Sequence, residues 1–270
     1  GYMASLQNLC DQREDLNFDS FWKQDSGAEV HHFIGKDIVN FHALFWPAVL
    51  NGAGFRTPSR IHAHGFVTVN GTKMSKSRGT FILAQRYLEH LNPEYLRYYY
   101  ATKLSDSADD LDINLDDFVQ RVNADLVGKV INIASRTAGF LVKHFDGELS
   151  PELHDPSLMQ QFTNAADSIA EHFERGNFGK AIREITALAD LANQYIAAHE
   201  PWNMIKDPER KADVQPVCSQ ALEMFRALMI FLKPILPDTA RRAEEFLAVE
   251  PFQWADLTTH LGSHRINPFK

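Results

Sequence analysis

Residues 30–52 read VHHFIGKDIVNFHALFWPAVLNG, and this stretch decides the fold of the N-terminal part. Its first residues are typical of a short buried strand, and Gly35 predicts the turn that ends it. Asp37 is expected to be the N-cap of the helix that follows. The residues at helical spacing on one face of that helix are Ile38, Phe41, His42, Phe45 and Trp46. A second strand is predicted from about Arg60 to Val69, where Asn70-Gly71 forms a turn.

A strand, a helix and a strand with short glycine-marked connections form a βαβ unit, which predicts two parallel strands. One clear unit of this kind lies within residues 1–105, whereas a doubly wound sheet needs more strands. We therefore expect these residues to be part of an α/β domain and not a whole one.

After Asn114 the apolar period becomes purely helical. The first predicted helix covers residues 114–143, and its apolar stripe holds Leu115, Val119, Val122, Leu126, Val130, Ile133, Thr137 and Phe140. Its opposite face holds Asp125, Lys129, Asn132, Arg136 and Lys143. Further helices are predicted around residues 158–173, 178–196, 217–232 and 240–247. This pattern predicts an α-helical bundle without strands.

The composition excludes several classes of protein. A chain of 270 residues corresponds to about two domains. With 44% apolar and 23% charged residues, it is not a disordered or collagen-like chain. Its longest apolar run, Ala227 to Leu232, is far shorter than the ~20 residues of a membrane span. Cys10 and Cys218 give no zinc-site spacing and no disulfide framework, so a reducing cytosol is expected.

The charge is unevenly distributed. A net charge of −8 argues against a protein that coats nucleic acid nonspecifically, so an RNA partner would have to bind a local patch. Residues 73–103 carry a net +4, and residues 104–120 carry a net −6. These segments are compatible with an anionic ligand at the first and a solvated hinge at the second, or with two ordinary surface faces.

The pentad Lys73-Met74-Ser75-Lys76-Ser77 follows the predicted second strand. It is identical to the KMSKS signature of class I aminoacyl-tRNA synthetases, a match expected by chance about once in ten thousand chains of this length. Adenylate formation builds negative charge on the leaving phosphates, and two lysine ammonium groups can stabilise that charge. The alternative for a lysine pair after a turn is a solvated loop.

Further segments resemble the bacterial methionyl-tRNA synthetase family over essentially the whole chain. They are Phe33–Ile38, Phe41-His42, Leu44–Pro47, His64–Phe66, Val69–Gly71, Leu96–Tyr99, Asp116–Val119, Pro201-Trp202 and Asn267–Lys270. The resemblance implies that residues 1–113 are the C-terminal part of a Rossmann-like parallel-sheet catalytic domain with its connecting segment. It implies that residues 114–270 are an α-helical anticodon-binding domain.

The resemblance also implies a methionine pocket formed by Tyr2, Phe41, His42 and Trp46. Aromatic walls suit a polarizable thioether, and one turn of helix separates His42 from Trp46. For Phe41 and Trp46 taken alone, ordinary core packing is the alternative.

For ATP, the resemblance implies contacts from Gly35, Asp37, His64 and Val67, together with Ser75, Lys76 and Ser77 of the pentad. Lys73 and Lys76 are the predicted catalytic residues. For the anticodon, it implies Asn132, Arg136, Pro201 and Trp202. Asparagine and arginine can bind base edges and tryptophan can stack on a base, although an isolated tryptophan can equally be a core residue.

The chain departs from the family in three ways. It has no HIGH-type tetrad on a first βα turn, because His62-Ala63-His64-Gly65 lies inside the second predicted strand. It lacks the cysteine-rich zinc knuckle, so structural zinc is expected only N-terminal to this chain and no metal site within it. It also lacks the first half of the catalytic domain, and we therefore expect this chain alone to be inactive.

The function implied is that of a methionine–tRNA ligase, which uses methionine, ATP with Mg²⁺ and methionine-specific tRNA. The enzyme is expected to be cytoplasmic without membrane attachment, and a homodimer is compatible with the family. A non-catalytic anticodon-binding module is one alternative, and the intact pentad argues against it. Another class I synthetase is a second alternative. The His42–Trp46 pair and the set Asn132, Arg136 and Trp202 argue against that one.

Overall fold

The computed structural model describes residues 1–74 and 81–269. The chain forms two compact units. The sheet unit comprises Gly1–Thr68 and Asp106–Asp112, and the helical unit comprises Val69–Ser105 and Ile113–Lys270. Each unit is described by itself below.

The sheet unit contains the predicted pair of parallel strands. Strand β1 (His31–Gly35) pairs with β2 (Arg60–His64), with His31 opposite Arg60 and Gly35 opposite His64. Its α-helices are α1 (Tyr2–Cys10), α2 (Asp19–Trp22) and α3 (Trp46–Gly52). The β1–α3–β2 order confirms the predicted βαβ unit.

The predicted second strand is wrong in its length, because it breaks at Gly65. A Cβ atom built on Gly65 would lie 2.0 Å from the backbone oxygen of Asp109, so only glycine fits there. After this break, β3 (Val67–Val69) joins β4 (Thr72–Lys73) and β5 (Leu111–Ile113) in a second sheet of order β4-β3-β5. The acidic segment interpreted as a solvated hinge therefore contains a strand.

The helical connection between β1 and β2 also differs from its prediction. It begins with a 3₁₀ turn (Lys36–Ile38), contains a π-helical turn (Phe41–Phe45) and ends as α3. Asp37 is not an N-cap, because no side chain caps the 3₁₀ turn. The residues predicted on one face of this helix also differ in burial. His42 is buried, while Phe41 and Phe45 are 60% and 61% exposed and their ring centroids lie 5.8 Å apart.

The helical unit confirms the predicted α-helical bundle. Its α-helices are α4 (Ala84–Leu88), α5 (Pro93–Lys103), α6 (Leu115–Arg121), α7 (Asn132–His144), α8 (Pro156–Asn164), α9 (Ala166–Glu174), α10 (Phe178–His199), α11 (Pro201–Met204), α12 (Val214–Leu232) and α13 (Pro237–Leu247). A π-helix (Val122–Ile131) joins α6 to α7, and 3₁₀ turns cover Lys211–Asp213 and Trp254–Thr258. Within the described part of the chain, no helix is both long and apolar enough to cross a membrane.

Two predicted helices are interrupted. The helix predicted over residues 158–173 divides into α8 and α9 at Ala165. The helix predicted over 114–143 is interrupted by the π-helix Val122–Ile131. Its apolar stripe is buried from Val122 to Thr137, but Leu115 and Val119 are 47% and 54% exposed. Phe118 is buried in their place, because its ring packs edge-on against Tyr99 with centroids 5.5 Å apart.

Helix α12 forms the centre of the bundle, since every residue from Val217 to Leu232 is buried. Two of its buried charged side chains have partners in the C-terminal segment. Arg226 donates hydrogen bonds to the carbonyls of Asp256 and Thr259, at 3.0 and 2.9 Å. Glu223 accepts the backbone N–H of Leu261. These bonds hold an irregular segment against the core without leaving buried charges unpaired.

Glu94 joins the first turn of α5 to the first turn of α13. Its buried carboxylate accepts the backbone N–H groups of Asp238 and Thr239, at 2.6 and 3.0 Å, and the Thr239 hydroxyl at 2.5 Å. One turn later, Arg97 donates to the carbonyls of Ile235 and Pro234. A carboxylate at a helix N-terminus satisfies N–H groups that have no partner within the helix.

Replacing Glu94 with alanine should therefore destabilise the helical unit. Each buried donor left without a partner costs about 1–3 kcal/mol, so a fall of several degrees in Tm is expected. Thermal unfolding followed by circular dichroism measures it. Glu89→Ala is the matched control, because Glu89 forms an exposed ion pair with Arg86 on the surface. An equal Tm for the Glu94 and Glu89 variants would contradict this account of the contact.

Candidate functional site

Four rings of the sheet unit, Tyr2, His32, His42 and Trp46, form what we name the aromatic cluster. The Tyr2 hydroxyl lies 2.8 Å from Nε2 of His42, and the Trp46 indole N–H donates to Nε2 of His32 at 3.2 Å. The Tyr2 ring centroid lies 4.9 Å from that of His32 and 6.0 Å from that of Trp46. The cluster offers aromatic faces and edges of the kind that bind a polarizable thioether.

The hydrogen bonds assign one ring nitrogen of each histidine, Nδ1 of His42 as a donor and Nε2 of His32 as an acceptor. Nδ1 of His42 lies 3.0 Å from the carbonyl of Ile38 and must donate to it, so Nε2 is free to accept the Tyr2 hydroxyl proton. Nε2 of His32 accepts from Trp46, which requires that nitrogen to be unprotonated. Burial, aided by the nearby His42, lowers the pKa of His32 and favours this neutral form.

Three of the four residues predicted for the methionine pocket come together in this cluster, and the fourth does not. Phe41 is exposed and its ring lies against Phe45, with centroids 5.8 Å apart. Phe41 is thus not a core residue of this unit, and its predicted contact with methionine stays a prediction. His32 was missed by sequence reasoning. The period of two in β1 could have found it, because His32 and Ile34 are the buried residues of that strand.

The residues predicted to contact ATP lie mainly at the ends of β1 and β2. Gly35 and His64 are opposite each other in the register, and both are the last residues of their strands. The carboxyl ends of parallel strands are the usual ligand edge of such sheets. The exposed Asp37 folds back so that its Oδ1 would lie 2.6 Å from a Cβ atom built on Gly35. Val67 begins β3, immediately after the break.

Of the Lys73–Ser77 pentad, which was predicted to be catalytic, Lys73 is the last residue of β4. Ser75, Lys76 and Ser77 lie outside the described residues.

In the helical unit, Arg136 and Trp202 are in direct contact. The guanidinium carbon of Arg136 lies 4.7 Å from the centroid of the Trp202 ring, within the range of a cation–π interaction. Asn132 lies one turn before Arg136 on α7, as predicted. Pro201 is buried and begins α11, while the other three residues are half-buried at the surface.

Two features of the chain determine the position of the surface that holds Asn132, Arg136 and Trp202. Glu200 adopts a left-handed conformation, with φ of 51°, and this turns the chain between α10 and α11 so that Trp202 meets α7. Lys129, at the end of the π-helix, forms an ion pair with Asp190 of α10 at 2.8 Å. The amide of Asn193, also on α10, donates to the carbonyl of Lys129 at 3.1 Å. Sequence reasoning missed both α10 residues because their partners are distant in the chain.

Residues 1–138 match the family model described as tRNA synthetases class I (M), so this fold is that of a class I tRNA synthetase. Residues 147–264 match the model described as the anticodon binding domain of methionyl tRNA ligase. The chain belongs to the methionyl-tRNA synthetase family.

Solved structures of methionyl-tRNA synthetase from Mycobacterium tuberculosis are similar to this chain. One, in complex with methionyl-adenylate, is 27% identical with a TM-score of 0.81, over 98% of this chain and 54% of that chain. A second, bound by methionyl-adenylate, is 28% identical with a TM-score of 0.77, over 88% and 48%. The apo form is 26% identical with a TM-score of 0.74, over 89% and 48%. The chain thus spans about half the length of these structures.

Proposed function

We propose that this chain supplies the C-terminal part of the catalytic domain and the anticodon-binding domain of a methionine–tRNA ligase, divided at residues 1–113 and 114–270. The reaction joins methionine and ATP into methionyl-adenylate, releases pyrophosphate, and transfers the methionyl group to the terminal ribose of tRNA. The observation that carries the proposal is the Arg136–Trp202 contact beside Asn132, within a chain whose two parts match the two family models.

For methionine, the proposed pocket is the aromatic cluster. Its polar atoms are largely engaged with one another through the Tyr2–His42 and Trp46–His32 hydrogen bonds. The rings therefore present apolar surface to a ligand, which favours a thioether over a charged or strongly polar side chain. His32 is added here to the residues Tyr2, His42 and Trp46.

For ATP, we propose that Gly35 and Asp37 contact the ribose and that the backbone of Val67 contacts the adenine. His64 is a further candidate for contact with ATP. Lys73 and Lys76 stabilise charge on the leaving phosphates, and Ser75 and Ser77 add hydrogen-bond donors. Positioning and charge stabilisation dominate this chemistry, because phosphoryl displacement needs little covalent help from the protein.

The Mg²⁺ that accompanies ATP is proposed to be held through the phosphate oxygens. Mg²⁺ usually binds phosphates with only one or two carboxylates, and within residues 1–74 and 81–269 no group of three or more His, Cys, Asp or Glu side chains could hold a metal ion. Structural zinc is assigned to the part of the enzyme outside this chain. Cys218 is buried, and burial raises the pKa of its thiol to about 12.

For tRNA, Asn132 and Arg136 are proposed to bind the edges of unstacked anticodon bases, while Trp202 stacks on one base. Pro201 is buried and fixes the start of α11 beneath Trp202. We further propose that the enzyme is cytoplasmic, and that a homodimer is compatible with this chain.

Direct binding of RNA to the 270-residue chain tests the proposal. The probes are two stem-loops that differ only in the anticodon, CAU for methionine or GAU. We expect CAU to bind about 5- to 150-fold more tightly, because a bidentate hydrogen-bonded contact discriminates against the wrong base by ~1–3 kcal/mol. Equal affinity for the two stem-loops would contradict anticodon recognition by this surface.

A further inference from the structure

One carboxylate of the sheet unit joins the two segments to which we assign ATP. Oδ1 of Asp110 lies 2.7 Å from the ammonium group of Lys36 and accepts the backbone N–H of Phe66, also at 2.7 Å. Lys36 stands between Gly35 and Asp37, and Phe66 immediately precedes Val67. We name these three residues, Lys36, Phe66 and Asp110, the Asp110 junction.

Other contacts restrict the same segment. The carbonyl of Phe66 accepts the N–H of Leu111 at 2.8 Å, so both peptide groups of Phe66 are held by the acidic segment. The Thr68 hydroxyl donates to Asp112 at 2.6 Å. Gly65 lies directly against the backbone of Asp109, and the ammonium of Lys36 lies 5.0 Å from the Phe66 ring centroid. Gly65, Phe66 and Thr68, which flank Val67, are thus each held by a residue of the segment 109–112.

The electrostatics are consistent with a permanent contact. The Lys36 ammonium and the Phe66 N–H hold the pKa of Asp110 below its ordinary value, so the carboxylate is ionised at neutral pH. The side chains of Asp110 and Lys36 are 51% and 34% exposed. Exposed ion pairs contribute little to stability, so the effect of this contact is on geometry and not on folding.

We propose that Asp110 is a positioning residue for ATP, which sets the backbone of Val67 relative to Gly35 and Asp37. This inference rests on the proposed function, because it takes these three residues as the adenosine contacts. A single acceptor shared by both segments sets the distance between them. This distance matters for the reaction, because a contact group displaced by about 1 Å can cost two orders of magnitude in rate. Asp110 acts through Lys36 and Phe66 and does not touch the substrate.

The first measurement uses the 270-residue chain itself. Hydrogen exchange should show that Asp110→Ala loses protection at the Phe66 amide, while Asp110→Asn, which retains an acceptor oxygen, keeps most of it. Asp109→Ala is the control with the same loss of charge, because the Asp109 carboxylate accepts the Ser107 hydroxyl and does not contact Lys36 or the Phe66 N–H. Unchanged protection of Phe66 in Asp110→Ala would overturn the inference.

The second measurement uses the chain joined to the N-terminal half of a homologous methionyl-tRNA synthetase, in methionine-dependent ATP–pyrophosphate exchange. Asp110→Ala should raise the KM for ATP about tenfold and leave the KM for methionine and the Tm nearly unchanged. Asp110→Asn should recover part of the loss, and Asp109→Ala should match the parent.

The outcomes separate the two hypotheses. Normal ATP kinetics in Asp110→Ala, or an equal rise in both KM values, overturns the positioning role while the proposed function stands. Absence of exchange in the joined parent protein overturns the proposed function, and the positioning role with it.

Discussion

Replacing Lys76 with alanine is expected to slow adenylate formation by about 100- to 1000-fold in the chain joined to its N-terminal half. Removing one preorganised donor to developing charge costs roughly 2.7–4 kcal/mol of transition-state stabilisation. The affinity for methionine should barely change, because the ammonium group is assigned to the phosphates. Lys76 lies outside the described residues, and the prediction depends on its place in the Lys73–Ser77 pentad. Single-turnover kinetics at varied ATP and methionine concentrations measure both effects.

Arg86→Ala is the matched control for charge. Arg86 belongs to the same basic segment, but it pairs with Glu89 on the surface and has no assigned role. If Arg86→Ala slows the reaction as much as Lys76→Ala does, the effect is one of general charge. If Lys76→Ala weakens only methionine binding at an unaltered single-turnover rate, the assigned role of Lys76 is wrong.

Replacing Trp202 with alanine is expected to weaken tRNA binding by ~1–3 kcal/mol, the usual contribution of one aromatic ring stacked on a base. Pyrophosphate exchange, which needs no tRNA, should stay near normal. Truncation of a core tryptophan costs ~3–5 kcal/mol of stability, but Trp202 is half-buried and lies against Arg136, so only a small fall in Tm is expected.

Trp254→Ala provides the comparison for Trp202. Trp254 is also half-buried in the helical unit, but its ring packs edge-on against the buried Phe231, with centroids 5.3 Å apart. The substitution Trp254→Ala should lower the Tm and leave the affinity of the folded protein for the CAU stem-loop unchanged. A large fall in Tm for Trp202→Ala, with parallel loss of RNA binding and exchange, would mean that Trp202 is a structural residue.

The sequence pattern predicted those elements that depend on neighbouring residues. The β1–α3–β2 unit and the long helices α10 and α12 follow from local apolar periods and from Gly and Pro at their ends. The break at Gly65 could not be predicted in this way. It depends on the backbone of Asp109, which is distant in sequence and reaches Gly65 only in the folded chain.

The segment that contains the π-helical turn Phe41–Phe45 shows a difference in side-chain direction. The α-helical period placed Phe41, His42 and Phe45 on one face, but only His42 is buried, while Phe41 and Phe45 are exposed and their rings lie against each other. Asp37 has a residue type typical of an N-cap, and nearby Gly35 offers room for its carboxylate instead. Local propensity cannot distinguish these two outcomes.

In the candidate site too, some features follow from neighbouring residues and others depend on residues that meet only in the folded chain. Asn132 and Arg136 share a helix face that the period predicts, whereas the contact between Arg136 and Trp202 depends on the left-handed turn at Glu200. The resemblance of the Pro201-Trp202 pair to the family suggested this site, and the α-helical period alone did not. The Asp110 junction has no local signature, because its three members come from separate segments of the chain.

The central claim, that this chain is part of a methionine–tRNA ligase, is tested most directly by ATP–pyrophosphate exchange. The chain is measured alone and with the N-terminal half of a homologous synthetase, in the presence of each amino acid in turn. We expect negligible exchange by the chain alone, and exchange that depends on methionine once the N-terminal half is supplied. Robust exchange by the chain alone would show that the N-terminal half of the catalytic domain is not essential for adenylate formation. Exchange dependent on another amino acid, or none in the combined protein, would contradict the claim.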